Sequence, residues 1–210
     1  MIKNDKIVEE IVGCHESSMD FVFAADHNWE LDLFLSRGAS RFKLAQELPT
    51  TKVKLFSRIE SEELSEQQNL ILPDLGHLSP GGIVLSKLAV RRLEMFWLAF
   101  GELLPLDVEG DEYYYYNVTN ILENVVDIEN SLLSLRGKLE TPAFLAEKIP
   151  SELTLLKVPE KKCINLYATG GFSALMRAHG LKIGVKVQPV WSKENGSVVP
   201  VKVLSGYTGP

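Results

Sequence analysis

Hydrophobic and polar positions alternate with a period of two in several short segments of the chain. The segments "DFVFAAD" at 20–26 and "TKVKLFSRIE" at 51–60 follow this pattern, which predicts half-buried β-strands. The opening segment, residues 1–18, predicts a short amphipathic helix or a turn. The first third of the chain is therefore expected to contain both strand and helix.

A longer helical period begins after a short apolar run at 83–85. Ser86 stands where its hydroxyl can accept a hydrogen bond from a first-turn amide, and Gly101 stands where a helix ends. Between them lies one apolar stripe, formed by Ala89, Leu93, Phe96, Trp97 and Phe100. The pattern predicts a helix over residues 87–100.

Four consecutive tyrosines, residues 113–116, lie in a predicted β-hairpin. Residues 102–118 form two extended runs joined by an acidic turn that contains a glycine, which is typical of hairpins. With a period of two, Tyr113 and Tyr115 share one face, and the other two tyrosines share the opposite face. Either both faces are covered, or one face is covered and the other carries a partly exposed tyrosine pair.

The last third of the chain repeats the order strand, helix, strand. "KCINLYA" at 162–168 predicts a strand, a helix of about three turns follows and ends at Gly180, and "LKIGVKVQPVW" at 181–191 predicts a second strand. A brief helix capped by Thr141 and a tail hairpin at Asn195-Gly196 are also expected. Residues 81–108 have the same order, so a repeated strand-helix-strand element is compatible with the sequence.

These elements predict an α+β fold, with a mixed or mainly antiparallel sheet and a few packed helices. The chain divides into an N-terminal segment at 1–69, a domain at 70–195 and a tail at 196–210, with one continuous domain as the open alternative. At 210 residues, 45% of them hydrophobic and 24% charged, the chain can bury a core of its own.

The apolar runs are much shorter than the roughly 20 residues that cross a bilayer. Acidic residues interrupt the N-terminal apolar stretch before a signal-peptide core can form. We therefore expect a cytoplasmic protein that is not embedded in a membrane. The two cysteines, Cys14 and Cys163, are expected to be reduced thiols.

Charge is segregated along the chain, although the net charge is only −6. Residues 107–130 hold seven acids and no base, whereas residues 157–193 hold seven bases and one acid. Such a surface can steer an oppositely charged partner, although solvated faces without a function would give the same pattern. A pI of about 5.3 makes nucleic acid a poor candidate for that partner.

No catalytic motif is present in the sequence. It lacks a Gly-x-Ser-x-Gly elbow, a phosphate-binding loop, a His-Glu-x-x-His helix and a Cys-x-x-Cys pair, and its four histidines are scattered. The segment "ATGGFSA" before the last helix could offer amides to an anion, but a flexible N-cap region is the favoured explanation. We therefore expect no catalytic residues, no metal site and no cofactor.

Three motifs follow one another within residues 70–191. A leucine-proline-aspartate turn precedes a strand that ends in serine and a helix; an acidic-turn "EYY" strand continues into "NV" and an aspartate; and a strand-helix-Gly-Leu-strand unit ends in "PVW". The residues that carry this order are Leu72, Pro73, Asp74, Ser86, Glu112, Tyr113, Tyr114, Asn117, Val118, Asp127, Gly180, Leu181, Pro189, Val190 and Trp191. This order resembles immunity-protein family 11 of bacterial polymorphic toxin systems.

The resemblance implies an immunity protein that binds a cognate toxin and neutralises it by covering it, without catalysis. The toxin would be encoded by the adjacent gene. The base-free acidic stretch and the tyrosines beside it supply the predicted contact residues, because interfaces favour tyrosine. These residues are Asp107, Glu109, Asp111, Glu112, Tyr113 and Tyr115.

Two other functions stay open at this point. The first is a small enzyme with an acidic cleft around Asp111, Glu112 and His77. The second is a self-associating scaffold module, in which the tyrosine hairpin or the helix of Trp97 forms a homodimer.

Overall fold

The computed structural model describes residues 6–13, 20–23, 51–56, 73–79, 82–108, 110–193 and 197–198. Within these ranges the chain forms thirteen β-strands, two α-helices and one 3-10 turn, Pro159–Lys161. The strands are β1 (Ile7–Gly13), β2 (Asp20–Phe23), β3 (Thr51–Phe56), β4 (Leu75–Ser79), β5 (Gly82–Ser86), β6 (Gly101–Val108), β7 (Asp111–Val118), β8 (Val126–Leu133), β9 (Leu139–Phe144), β10 (Leu155–Leu156), β11 (Leu166–Thr169), β12 (Val185–Ser192) and β13 (Ser197–Val198). The helices are α1 (Lys87–Phe100) and α2 (Phe172–Ala178).

The described strands form three sheets. The larger two have the orders β2-β3-β6-β7-β5-β4 and β10-β11-β1-β12-β13, and β8 and β9 form a separate hairpin. Strands β3 and β6 pair in parallel, and the other ladders between described strands are antiparallel. The predicted α+β fold with a mainly antiparallel sheet is confirmed, and most of it is sheet.

Both predicted strand-helix-strand segments adopt one topology. In the first, β5 and β6 are joined by α1, and β7 lies between them, antiparallel to both. In the second, β11 and β12 are joined by α2, and β1 lies between them, again antiparallel to both. Each unit is a split β-α-β element that receives its middle strand from elsewhere in the chain.

Helix α1 begins and ends at the residues that the sequence indicates. The Ser86 hydroxyl accepts a hydrogen bond of 3.1 Å from the Ala89 amide, and the helix ends before Gly101. The helix is interrupted at Leu93, where φ is −137° and ψ is 31°. Beside this kink the Trp97 indole N–H donates to the Ala89 carbonyl at 3.0 Å, so a buried polar group of the tryptophan has its partner.

The main core lies between α1, α2 and the two large sheets. Trp97 is fully buried and makes edge-to-face contacts with Tyr116 of β7 and Phe172 of α2, with ring centroids 5.1 and 6.4 Å apart. Leu93 and Met176 complete the contact between the helices and this core. One helix from each split unit therefore packs into a shared interior.

A second, smaller core anchors the β8–β9 hairpin. Phe144 of β9 makes edge-to-face contacts with Tyr167 of β11 and Trp191 of β12, at 5.6 and 6.1 Å between ring centroids. Val126 of β8 is buried in the same cluster. The hairpin is thus fixed at the end where β8 begins and β9 ends.

Two predicted helices are wrong. Residues 7–13 form β1 rather than a helix or turn. β1 is the central strand of the five-stranded sheet, and its β-branched side chains Ile11 and Val8 are buried in the main and the smaller core respectively. Residues 139–144 form β9, in which Leu139 and Ala143 pair with β8, and the two-stranded sheet accommodates Pro142.

The structure also bears on the predicted tail hairpin and on the predicted N-terminal segment. β13 pairs with the end of β12 as expected for a tail hairpin, but residues 195–196 lie outside the described residues. β1 belongs to the predicted N-terminal segment, yet it pairs with β11 and β12. The division at residues 69 and 195 stays a prediction, beside the alternative of one continuous domain.

Candidate partner-binding surface

The acidic turn of the β6–β7 hairpin lies at one end of the six-stranded sheet. Gly110 has a φ of 97°, in the left-handed region that glycine adopts without steric cost, and its amide donates to a carboxylate oxygen of Asp107 at 2.8 Å. Asp107 therefore holds the turn closed with one oxygen. Glu109 lies outside the described residues.

Three of the predicted acidic residues border one concavity. It has a volume of about 330 Å³ and is lined by Pro105, Leu106, Asp107, Gly110, Asp111, Glu112 and Tyr114. Asp111 and Glu112 are exposed and Asp107 is half-buried. The concavity thus combines three carboxylates with the apolar side chains of Pro105 and Leu106 and the ring of Tyr114.

One basic residue that the sequence analysis did not identify as a site residue contacts this acidic group. Lys87, the first residue of α1, forms an ion pair of 2.5 Å with Glu112. The Tyr114 hydroxyl also donates to Glu112. Hydrogen bonds from Lys87 and then Tyr114 lower the pKa of Glu112, and the bond to Glu112 raises the pKa of Tyr114 to about 12. The feature of the sequence that could have identified Lys87 is its position directly after the helix cap Ser86. The pairing of β5 with β7 brings this position next to Glu112.

Tyr113 and Tyr115, two of the predicted contact residues, are buried and do not form an exposed pair. Their exposed fractions are 5% and 2%, whereas Tyr114 is half-buried. Burial, followed by the charges of Asp74 and Asp111, raises the pKa of Tyr113 to about 12. Of the two arrangements open from the sequence, the structure has both faces of β7 covered around these tyrosines, and Tyr114 is the tyrosine that reaches the concavity.

The Tyr115 ring lies against the backbone of β5. A Cβ atom at Gly82 would lie 1.9 Å from the Tyr115 hydroxyl oxygen. Glycine is therefore required at this position for a steric reason. The packing fixes Tyr115 inside the sheet and removes it from the candidate surface.

Two residues that carry the family resemblance, Asp74 and Ser86, form a buried junction with the backbone of Lys182. The Ser86 hydroxyl donates to Asp74 at 2.6 Å, and the second Asp74 oxygen accepts a hydrogen bond of 2.9 Å from the Lys182 amide. The Asp74 amide in turn donates to the Lys182 carbonyl at 2.8 Å. These residues connect β4, the start of α1 and the segment before β12, so their role is structural.

Asn117, another of these residues, lies in a second buried polar group. Its Oδ1 accepts a hydrogen bond of 3.1 Å from Nζ of Lys157, and its Nδ2 donates to Glu102 at 3.1 Å. Lys157 is only 2% exposed, and burial lowers its pKa to about 8. The sequence signal for this buried lysine is its place inside the apolar run "LTLLKVP". Cys163 is a free thiol near this lysine, and burial raises its pKa.

The amides at the start of α2 already have an anionic partner within the chain. Backbone N–H groups of Gly171 and Phe172 donate to the Glu9 carboxylate, although burial raises the pKa of Glu9 overall. The hypothesis that "ATGGF" offers amides to an external anion is therefore not needed, because β1 supplies the carboxylate.

His77 does not lie beside the acidic concavity. It pairs with Ile83 of β5, which pairs with Tyr116 of β7, so it is two strands away from β7. Glu112 is four residues further along β7, so about 14 Å along the strand and about 10 Å across the sheet separate the two positions. The structure therefore does not assemble the cleft of Asp111, Glu112 and His77 that the enzyme hypothesis requires.

Comparison with protein families and with curated proteins gives no relative. No protein-family model matches the chain, and no curated protein matches it. The resemblance to immunity-protein family 11 therefore stays an expectation from the sequence. In the part of the chain that the structure describes, no helix has the length and apolar character needed to cross a membrane, and no group of three His, Cys, Asp or Glu side chains is placed to hold a metal ion.

Proposed function

We propose that this protein is a cytoplasmic immunity protein, which binds the toxin of a bacterial polymorphic toxin system and neutralises it by occlusion, without catalysis. The toxin would be the product of an adjacent gene. The proposal combines the order of motifs in residues 70–191 with the geometry of the β6–β7 hairpin.

The acidic concavity is the observation that carries the proposal. Asp107, Asp111 and Glu112 are brought together at the exposed end of a hairpin, with Pro105 and Tyr114 as an apolar floor. A shape of this kind suits a protruding basic side chain with an apolar stem on the toxin, because the carboxylates meet the charge and the floor meets the stem.

The ion pair between Lys87 and Glu112 determines which carboxylate of the surface is most available to a partner. Because Lys87 neutralises part of the Glu112 charge, Asp111 is the carboxylate most available to a partner. Exposed carboxylates at the rim of an interface mainly accelerate association, whereas the apolar floor contributes to the lifetime of the complex. Tyr114 and Asp111 are therefore the contact residues that we consider most important.

Co-expression with the adjacent toxin gene tests the proposal. The unaltered protein restores growth and co-purifies with the toxin, and the triple variant Glu109→Lys, Asp111→Lys, Glu112→Lys loses both properties. Absence of a complex with the unaltered protein would reject the function, and full protection by the triple variant would reject only the site.

A matched variant controls for net charge. Glu123→Lys, Glu147→Lys, Glu160→Lys makes the same charge change at three exposed positions outside the concavity. This control is expected to protect as well as the unaltered protein, because charge effects away from an interface are small at physiological salt.

A further inference from the structure

The β8–β9 hairpin, residues 126–144, exposes four large apolar side chains. Ile128, Leu132 and Leu133 are each 48% exposed, and Leu135 at the tip is fully exposed. Single exposed leucines are common, but several on one short hairpin are typical of a surface that contacts another molecule.

Hydrogen bonds hold the tip of the hairpin in one conformation. The Ser134 amide donates to the Lys138 carbonyl at 2.8 Å, the Ser134 carbonyl accepts from Gly137 at 2.9 Å, and its hydroxyl accepts from the Lys138 amide at 3.0 Å. Leu135 therefore projects from a closed turn. The backbone of a turn held in this way has little conformational freedom left to lose when a partner buries Leu135.

The start of the hairpin is equally well fixed. The Asp127 carboxylate accepts two hydrogen bonds from Asn130, of 3.2 and 2.7 Å, and the Ser131 hydroxyl accepts one of 2.8 Å from the Ala143 amide. These bonds shape a bulge in β8 that exposes Ile128 and Glu129. The apolar side chains thus lie on a frame that is ordered at both ends.

Acidic and basic side chains lie toward opposite ends of the hairpin. Asp127 and Glu129 lie toward the anchored end, whereas the tip carries Arg136 and Lys138. The apolar Leu132 and Leu133 lie between the two charged ends. Leu132 and Leu133 are consecutive in β8 and point to opposite faces, so only one of them can lie at a given interface. If two such hairpins pack side by side in opposite directions, each basic tip meets the acidic end of the other, and the two copies of Leu133 meet in the middle.

We infer that the β8–β9 hairpin is the interface of a homodimer, in which a second copy of this chain packs antiparallel about a two-fold axis near Leu133. Such a surface is self-complementary, as a two-fold interface requires. An anionic membrane fits less well, because Asp127, Glu129 and Glu140 give the hairpin more acids than bases.

The size of the hairpin limits the strength of the dimer. A stable standard interface buries about 800 Å² on each partner, and one short hairpin provides less than this. The expected dimer is therefore concentration-dependent, with a dissociation constant in the micromolar range, on the order of 10 μM. The acidic concavity belongs to the β6–β7 hairpin of another sheet, so this inference does not rest on the proposed function.

Sedimentation equilibrium of the full chain, from about 1 to 200 μM, tests the inference around the expected dissociation constant. The average mass is expected to rise with concentration toward twice the monomer mass of 23.5 kDa. A monomer at every concentration would overturn the inference, and so would binding of the monomer to anionic vesicles through Leu135.

Charge-swap variants test the antiparallel packing. Glu129→Arg alone and Arg136→Glu alone each place like charges together and are expected to weaken the dimer about ten-fold. The double variant restores opposite charges and is expected to return to within about three-fold of the unaltered protein. Equal weakening in the double variant would contradict the packing.

The exposed apolar side chains of α1 provide the matched control. Leu133→Ser and Leu135→Ser are expected to abolish the dimer, whereas Met95→Ser, at a position that is 81% exposed, leaves it unchanged. Circular dichroism confirms that each variant is folded. Dissociation by Met95→Ser but not by the hairpin variants would assign the interface to α1 and overturn the inference.

Discussion

The Ser86 hydroxyl donates a hydrogen bond of 2.6 Å to Asp74, and the same oxygen accepts a hydrogen bond of 3.1 Å from the first turn of α1. Asp74 also accepts from the Lys182 amide. A serine and an aspartate twelve positions apart thus connect the six-stranded sheet, α1 and the segment that leads to β12.

Removing either member of this pair is expected to destabilise the fold. Ser86→Ala lowers the free energy of unfolding by about 1 to 2 kcal/mol through loss of the helix cap. Asp74→Ala lowers it by about 2 to 3 kcal/mol, because the Lys182 amide and the Ser86 hydroxyl lose a buried acceptor. Urea denaturation measures both values.

The two losses are not expected to add. The double variant leaves fewer unpaired groups than the single variants together, so its loss is smaller than their sum. Ser151→Ala, at an exposed position, changes the free energy of unfolding by less than about 0.5 kcal/mol and serves as the control. Strict additivity would show that the two side chains act independently.

The burial of Lys157 predicts that the stability of the fold increases with pH above neutrality. Its folded-state pKa of about 8 lies below its ordinary value of 10.5. Below pH 8 Lys157 is protonated in both the folded and the unfolded state, and the buried charge destabilises the folded state. As pH rises through 8, the folded state releases the proton first, so stability increases by about 2 kcal/mol between pH 7.5 and 9.5.

Lys157→Met isolates this contribution. The difference in unfolding free energy between this variant and the unaltered protein is expected to carry the pH slope, since the other titrating groups are present in both proteins. The measurement stays below pH 10, because tyrosines with raised pKa values, such as Tyr113 and Tyr114, lower stability above it. A difference that does not change with pH would contradict the burial of a charged lysine.

Gly82 is expected to tolerate no side chain. Gly82→Ala would place a Cβ 1.9 Å from the buried Tyr115 hydroxyl oxygen, so the variant is expected to lose more than about 2 kcal/mol of unfolding free energy. Adding Tyr115→Val removes the ring and recovers part of the loss. Gly110→Asn is the comparison, because nothing lies within 4 Å of that Cβ and asparagine tolerates a positive φ.

Local signals explain what the sequence predicted well. The limits of α1 follow from Ser86 and Gly101, and the β6–β7 turn follows from Gly110 and its acidic neighbours. The strand-helix-strand order of both units was also readable, because it depends on periodicity within short segments. The acidic residues of the concavity were found for the same reason, since they are neighbours in the chain.

Contacts between residues that are distant in the sequence explain the predictions that the structure does not support. Residues 7–13 were expected to be helix or turn, but they form the middle strand between β11 and β12, whose residues lie more than 150 positions away. Tyr113 and Tyr115 were predicted contact residues, but tertiary packing buries both of them. Lys87 was missed as a partner of Glu112 because only the register of β5, β6 and β7 brings the two together.

A titration of toxin activity tests the central claim of occlusion most directly. The purified protein is added to the toxic domain encoded by the adjacent gene, and residual activity is measured against the molar ratio. Occlusion predicts a linear decrease that reaches zero at one equivalent, with the toxin recovered intact and active after separation. Complete loss of activity at a small fraction of an equivalent, with a covalently altered toxin, would show turnover and contradict the account.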